Sequence, residues 1–401
     1  MAEGAATIQS ALKQPRLISL DALRGFDMFW IVSGEEIFHG FADVVKQKYS
    51  LVQNTIDWQI ATDSRLSFIE QIAVGISNQL HHSVWNGFTF YDLIFPLFIF
   101  IAGVSMPFSY KNITDPAVKR RRYMQLIKRT VLLILLGMVV NGALKFQGYE
   151  HTRFASVLGR IALSCFFAAL IYLNCKLEWQ MVWFAVILIG YWLLLTLVPV
   201  PGHGPGVLTK EGSLVSYIDQ HFLPGKLHRK IYDPEGLLST IPAIATALLG
   251  VFTGTFLLPG TKNIAAVKKM LTMFIAGVVL LLIGLAWNVI FPINKTLWTS
   301  SFTLYAGGWS LLLFSCFYGV IDVAGIQKWC RPFVWIGTNS ILIYLAAHGA
   351  VNFLSTSQFI FGGLVKMAPP IWERALLWTG VLLIQLILLR FLYLRKLFLK
   401  L

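Results

Sequence analysis

The chain has 401 residues, of which 56% are hydrophobic and only 13% are charged, and its mean hydropathy is +0.68. Soluble proteins carry about 25% charged residues, so this composition excludes an ordinary soluble domain and predicts an all-α polytopic membrane protein. The net charge of +14 is typical of the Lys and Arg that cytoplasmic loops accumulate, and we expect no nucleic-acid partner.

Apolar segments of about 20 residues recur along the chain and predict ten transmembrane helices with both termini cytoplasmic. Residues 1–16 are predicted to be a disordered cytoplasmic tail, and 17–401 a single transmembrane domain with periplasmic loops at 39–87 and 199–236. The basic cluster at 119–129 sets the orientation, because it marks the predicted loop 111–129 as cytoplasmic. The predicted spans are 17–38, 88–110, 130–146, 155–173, 180–198, 237–258, 270–291, 297–323, 333–353 and 375–393.

The first predicted span is unusually charged for a membrane helix. Asp21, Arg24 and Asp27 are three residues apart and therefore share one face, along which they can pair. Glu35 lies near the outer end of the same span. Such a helix must pack inside a bundle or line a wet cavity. Glu35 is a candidate to accept a proton from an attacking amine, and the alternative is a solvated residue just past the helix end.

A polar segment that contains His82, Trp85 and Asn86 leads into the second span, which carries Asp92 about one turn inside. An imidazole at this depth can act as a base or as a covalent acyl carrier. The alternative is a histidine that merely accompanies Trp85 in an aromatic belt. Asp92 could orient the imidazole or hold a sugar amine or hydroxyl, or it could be the structural partner of the buried Arg160.

Two further segments carry polar groups. Asp233 and Glu235 precede the sixth span, where they form either an N-terminal cap or a pair of outer carboxylates for a cationic or hydroxyl-rich acceptor. The ninth span contains a polar stripe that either bonds to other helices or lines a pore for an elongated ligand. The residues of this segment are Asn339, Ser340, Tyr344 and His348.

The four cysteines show no metal-ligand spacing, and we expect no metal site. The basic cluster is explained by membrane orientation, and its other interpretation is the binding of an anionic cofactor that carries several phosphates. The sequence contains no Gly-rich phosphate-binding loop of the Rossmann or P-loop kind.

Six ordered segments together are similar to the family of heparan-alpha-glucosaminide N-acetyltransferase and its bacterial homologues. The resemblance covers nearly the whole chain beyond residue 16. The segments are SLDALRGFDMFW at 19–30, HSVWNGFTFYDLIFPLFIFIAGVSM at 82–106, VLGRIA at 157–162, YDPEGLLSTIPAIATALLG at 232–250, PINKTLWTSSF at 292–302 and GTNSILIYLAAH at 337–348.

The resemblance implies transfer of an acetyl group from cytosolic acetyl-CoA to the amine of a glucosamine residue on the other side of the membrane. The active-site histidine of the family falls in the H-x-x-W-N-G segment, which gives that role to His82. The resemblance leaves open whether an acetyl-histidine forms or the amine attacks acetyl-CoA directly. The family usually has Asn where this chain has Glu35.

We therefore expect a bacterial inner-membrane acetyltransferase with His82, Glu35 and Asp92 as catalytic residues, and the alternative is an amino-sugar transporter without chemistry. The partners expected are an amino-sugar acceptor and membrane lipid, and a homodimer is left open. The acceptor is expected to contact Trp85, Asn86, Arg160, Asp233, Glu235 and His348. Acetyl-CoA is expected to contact Arg24, Lys119, Arg120, Arg121, Lys268, Asn339, Ser340 and Tyr344.

Overall fold

A computed structural model describes residues 17–49, 65–110, 115–258 and 264–399. These residues fold into α-helices joined by short 3₁₀ and π segments, and they contain no β-strand longer than an isolated bridge. The predicted tail 1–16 lies outside the described residues, as do residues 50–64 of the predicted loop 39–87.

We number the α-helices in chain order. The first three are α1 (Ile18–Phe29), α2 (Glu35–Lys48) and α3 (Phe68–Gln79), and a π-helical segment, Trp30–Gly34, joins α1 to α2. The others are α4 (Phe90–Ser109), α5 (Pro116–Val140), α6 (Val157–Asn174), α7 (Leu177–Leu197), α8 (Leu214–Phe222), α9 (Thr240–Leu257), α10 (Ala266–Asn288), α11 (Ser300–Tyr318), α12 (Arg331–Thr338), α13 (Ser340–Leu345), α14 (Phe353–Val365) and α15 (Glu373–Leu394).

The predicted multi-pass architecture is confirmed. Within the described ranges, eight helices are long and apolar enough to cross a membrane. The number becomes nine if α12 and the helix that follows it count as one span bent by 74°. The first predicted span corresponds to α1 with its π segment. It is not among these apolar helices, since it carries several charged residues. The chain is therefore a multi-pass membrane protein.

Three predicted boundaries are wrong. The first helix does not end at Phe38, because the π segment carries it without a break into α2 and on to Lys48. The basic residues after 118 lie in the first turns of α5 rather than in a loop. The helix starts earlier than predicted because Pro116 is its first residue and the Asp115 carboxylate caps it, accepting a hydrogen bond from the backbone N–H of Ala117 at 2.9 Å. The ninth span is interrupted at Asn339, which lies outside the helical region with φ −127°.

The centre of the bundle is formed by α4, α9 and α11, whereas α5 and α10 expose most of their surface. Helices α4 and α9 approach closely at two glycines. A Cβ on Gly103 would lie 2.1 Å from the carbonyl oxygen of Ala247, and a Cβ on Gly250 would lie 2.1 Å from that of Phe100. Small residues of this kind allow membrane helices to pack backbone against backbone.

The two ends of the bundle differ in chemistry. At one end, which we call the basic end, Lys119 contacts Asn174 and Lys269 contacts the carbonyl of Leu257. At the other end, the His82 end, the starts of α4, α9 and α11 meet the loops that precede them. A helix of about 20 residues separates the two ends by roughly 30 Å.

We expect Gly103→Ala to lower the melting temperature by several degrees, because overpacking a tight contact costs about 1–3 kcal/mol. Thermal melting of the purified protein measures the change. Gly190→Ala on α7 is the matched control, since a Cβ there meets nothing within 4 Å. Equal melting temperatures for both variants would contradict the close α4–α9 approach.

Candidate active site

Asp92 is the third residue of α4, and its carboxylate is fully buried. Its Oδ2 accepts hydrogen bonds from the backbone N–H of Ser83 at 3.1 Å and of Thr89 at 3.2 Å, and from the Thr89 hydroxyl at 3.2 Å. Carboxylates are favoured in the first turn of a helix, because they accept from N–H groups left free there. The position of the Asp92 carboxylate is therefore fixed by contacts within residues 83–92, without a contribution from another helix.

The other oxygen of Asp92 holds His82. The distance from His82 Nδ1 to Asp92 Oδ1 is 2.9 Å. Two lone pairs at that distance would repel, so Nδ1 carries the proton and donates it to the carboxylate. Nε2 is then left with a lone pair for chemistry. The pairing of His82 with Asp92 follows the first of the two interpretations that the sequence left open.

Lys295 completes this group, and its role was missed in the sequence. Its Nζ lies 3.5 Å from Asp92 Oδ1, 3.1 Å from His82 Nδ1 and 3.5 Å from His82 Nε2. Burial lowers the pKa of Lys295, although the charge of Asp92 acts in the opposite direction. One signal was available, since Lys295 is the only charged residue between α10 and α11 and lies within the matching segment PINKTLWTSSF.

These three side chains lie at a cavity of about 420 Å³, which we call the His82 cavity. Its polar end also contains Glu235 and His348. Val157, Leu158 and Ile161 of the fourth predicted span contribute apolar walls, and further apolar residues come from the first, second and ninth predicted spans. The apolar residues that line it from those spans are Met28, Ile31, Ile94, Phe95, Phe98 and Ile341.

Glu35 lies beside this cavity, behind Tyr91. The Tyr91 hydroxyl donates to Glu35 Oε2, and the Tyr91 ring contacts the His82 ring with centroids 4.8 Å apart. On its other side Glu35 Oε1 is 3.5 Å from His39 Nε2, and His39 Nδ1 is 2.8 Å from the hydroxyl of Ser77. Glu35 is therefore half-buried and part of a hydrogen-bonded network, and the prediction that it lies beyond the helix end is wrong, since the helix continues to Lys48.

Arg160 does not pair with Asp92. Its guanidinium is buried against the ring of Trp298 at 5.0 Å and donates to the hydroxyl of Ser239. The carboxylates before α9 are held by a different arginine, Arg153. Asp233, which is fully buried, receives two bonds from Arg153 at 2.6 and 2.8 Å, and Glu235 receives one from the same guanidinium. Burial would raise the pKa of Asp233, but Arg153 lowers it below its ordinary value.

Other predicted contact residues are engaged in the scaffold. Trp85 Nε1 donates to the carbonyl of Leu208 at 2.9 Å, and Asn86 Oδ1 accepts from Asn294 at 3.0 Å. Asn339 Nδ2 donates to the carbonyl of Leu397 at 3.0 Å, which attaches the C-terminal segment to the break between α12 and α13. None of these three lines the His82 cavity as the structure describes it.

The predicted donor-binding residues fall into two groups. Tyr344 lines the His82 cavity and stacks on His348 with ring centroids 4.5 Å apart, while Ser340 is buried one turn away. The predicted basic contacts of the donor are absent from the lining of the cavity. Arg24 donates to the hydroxyl of Ser105 at 2.9 Å, and the exposed or half-exposed residues at the basic end are Lys119, Arg120, Arg121 and Lys268.

Two relatives among known proteins are similar to this chain in sequence. No protein-family model matches the chain. The human heparan-alpha-glucosaminide N-acetyltransferase is 32% identical over 320 residues, which are 66% of this chain and 48% of the human protein. The mouse protein of the same name is 29% identical over 329 residues, 68% of this chain and 49% of its own.

The chain is similar to the heparan-alpha-glucosaminide N-acetyltransferases of human and mouse. This confirms the family resemblance found in the sequence. The chain spans about half the length of the curated relatives that it matches.

Asp219 supports the segment that leads from Asp233 into α9. Its fully buried carboxyl accepts from the backbone N–H of Asp233 at 3.3 Å and of Leu237 at 3.1 Å, and burial raises its pKa to about 6. Because this folded-state pKa exceeds the unfolded value of about 3.9, the stabilisation is complete below that value and is lost as the pH rises through about 6.

We expect Asp219→Asn to remove this pH dependence, because an amide does not ionise. The two bonds end on different carboxylate oxygens, so the single amide oxygen keeps one of them. Relative to the native protein, the variant should be about 1–3 kcal/mol more stable at neutral pH than in acid. Melting curves recorded between about pH 4 and pH 8 measure the difference. Glu211→Gln, which changes an exposed carboxylate in the same segment, serves as the control. A stability difference between the variant and the native protein that does not grow as the pH rises would contradict the raised pKa of Asp219.

Proposed function

We propose that this protein is a transmembrane N-acetyltransferase that moves the acetyl group of cytosolic acetyl-CoA to the amine of a glucosamine-type sugar on the periplasmic side of a bacterial inner membrane. The observation that carries the proposal is the His82–Asp92 pair at the mouth of a cavity, in a homologue of enzymes named for N-acetyl transfer to a glucosaminide. We also propose that both termini are cytoplasmic, which puts the basic end inside and the His82 end outside.

His82 is the group that we assign to the acetyl transfer. With Nδ1 bonded to Asp92, Nε2 is available either to remove a proton from the attacking amine or to carry the acetyl group itself. In both routes the nitrogen–carbon bond of the amide forms, the carbon–sulfur bond of the thioester breaks, and CoA leaves as the thiol. Asp92 stabilises the imidazolium that either route creates.

Lys295 takes the role of stabilising the negative oxygen that develops on the thioester carbonyl. Asn86 and Asn339 were the sequence candidates for it, but both amides are used in the scaffold. The Lys295 ammonium is beside His82 Nε2, where the carbonyl must arrive. A fixed charge of this kind in a site with little water stabilises the transition state more than the ground state.

Glu35 is the carboxylate that we assign to the released amine proton. Asp92 already accepts bonds from Ser83, Thr89 and His82, so it has little capacity for another proton. The contacts described for Glu35 are a tyrosine hydroxyl and an imidazole, neither of which is a permanent cation. Its connection to His82 through Tyr91 supports this assignment.

The donor is proposed to extend from the His82 cavity towards the basic end. The apolar walls of the cavity suit the pantetheine arm, and Tyr344 and Ser340 lie along this path. The CoA phosphates would then bind cations of the basic end as charge-assisted pairs, with Arg24, Lys119, Arg120, Arg121 and Lys268 as the candidates. On the outer side, Glu235 and His348 face the cavity, whereas Trp85, Asn86, Arg160 and Asp233 support its walls.

We expect His82→Ala to reduce acetyl transfer about 10²- to 10⁴-fold, because it removes both the base and the acyl carrier. Release of CoA from acetyl-CoA in the presence of glucosamine measures the rate. His221→Ala, which changes an exposed histidine of the outer segment, is the control. Proteoliposomes that accumulate unmodified glucosamine without acetyl-CoA would favour the transporter instead.

Replacing Lys295 by Met is expected to lower kcat about 10²- to 10³-fold, as the loss of one charge stabiliser does in other acyl transfers. The KM of the sugar should change little, since the ammonium acts on the thioester oxygen. Lys226→Met, at an exposed position of the outer segment, controls for a general effect of charge. A variant with native kcat and a raised KM would assign Lys295 to sugar binding.

A further inference from the structure

A second cavity, which we call the Glu35 cavity, lies next to the His82 cavity and has a volume of about 660 Å³. Tyr91, His348 and Ile31 line both cavities, so they form the wall between them. The Tyr91 ring lies against the His82 ring on one side and carries the hydroxyl bonded to Glu35 on the other. The volume lies within the range of about 300–1,000 Å³ found for small-ligand sites.

Three buried polar atoms around this cavity lack a hydrogen-bond partner in the part of the chain that the structure describes. They are Trp30 Nε1, Ser33 Oγ and Gln385 Oε1. Ser33 and Gln385 are each 1% exposed. Buried polar atoms are nearly always bonded, so three unpaired atoms around one cavity indicate a polar ligand. They supply an indole donor, an amide acceptor and a hydroxyl that does both.

The backbone around the Glu35 cavity is unusual on two sides. Ser33 lies in the π-helical segment Trp30–Gly34, and a second π-helical segment, Ala346–Ala350, lies opposite. A π turn inserts one extra residue into a helix and is frequent at functional sites. In this protein, both π-helical segments contribute residues to the lining of the Glu35 cavity.

The charge of the cavity selects the ligand. Two carboxylates line it, Glu35 and Glu36, and Glu36 is paired with Arg374 at 2.6 Å. Glu35 contacts only Tyr91 and His39 among the residues described, so its charge is available to a cation. A ligand that combines a cationic group with hydroxyls would match both the carboxylate and the three unpaired polar atoms.

We infer that the Glu35 cavity is the acceptor subsite, and that it binds an amino sugar with the ammonium facing Glu35 and the ring hydroxyls bonded to Ser33, Gln385 and Trp30. The inference deepens the proposed function and rests on it. It places the amine beside Tyr91, one aromatic ring away from His82. The donor then occupies the His82 cavity, and the two substrates enter separate spaces that meet at the shared wall.

The test measures binding of glucosamine, with glucose as the uncharged comparison, by calorimetry on the purified full chain without acetyl-CoA. We expect glucosamine to bind and glucose to bind much more weakly. Ser33→Ala and Gln385→Leu should each raise the Kd of glucosamine about three- to tenfold, the effect of one lost hydrogen bond. Neither residue belongs to the proposed catalytic group.

Ser310→Ala is the matched control, because it removes another buried helical serine, whose hydroxyl donates to the carbonyl of Ala306 at 2.8 Å. Thermal melting verifies that each variant is folded. A native Kd in folded Ser33→Ala and Gln385→Leu would overturn the inference and leave the cavity to water. The same conclusion would follow from a native protein that gives no heat with glucosamine.

Acetyl transfer by the native protein separates the two proposals. If CoA is released with glucosamine but both variants keep the native Kd and KM, the acceptor subsite is wrong and the proposed function stands. If the variants weaken glucosamine binding but no CoA is released, the cavity binds the sugar and the proposed acetyltransferase is wrong.

Discussion

The buried carboxylate of Asp92 is the constraint on which the rest of the candidate site depends. Burying a carboxylate in a membrane bundle is costly unless its oxygens accept hydrogen bonds. Here the start of α4 supplies backbone donors, and His82 and Lys295 supply the rest. The side chain of His82 is itself 54% exposed and lies in an irregular segment, so its contact with Asp92 is what orients the ring.

Two cavities with different walls lie next to the His82–Asp92 pair. On the bundle side of His82, the walls are apolar and continue towards the end that carries the basic residues. Beside it, across Tyr91, the walls carry carboxylates and unpaired polar atoms. This separation places an apolar arm and a hydroxylated cation in different environments. Three side chains form the wall between the two spaces, and the ring of one of them, Tyr91, contacts the ring of His82.

Carboxylates and basic residues are concentrated at opposite ends of the bundle. The carboxylates Asp92, Glu35 and Asp233 belong to the His82 end, where each is bonded within the bundle. The basic cluster opens α5 at the opposite end, where it is exposed. A donor held by its phosphates at the basic end must therefore extend most of one helix length, roughly 30 Å at 1.5 Å per residue, to reach His82.

The sequence by itself determined the all-α membrane architecture, because apolar segment length and charge depletion depend only on composition. It also brought His82 and Asp92, which are ten residues apart, to the start of one helix, but it left the partner of Asp92 open, and the structure pairs the two side chains. Only the tertiary structure decided that Lys295 joins them, that Arg160 turns to Ser239 and Trp298, and that Tyr91 connects His82 to Glu35. These contacts cross between helices far apart in the chain, and helix periodicity fixes which residues share a face but not which helices pack together.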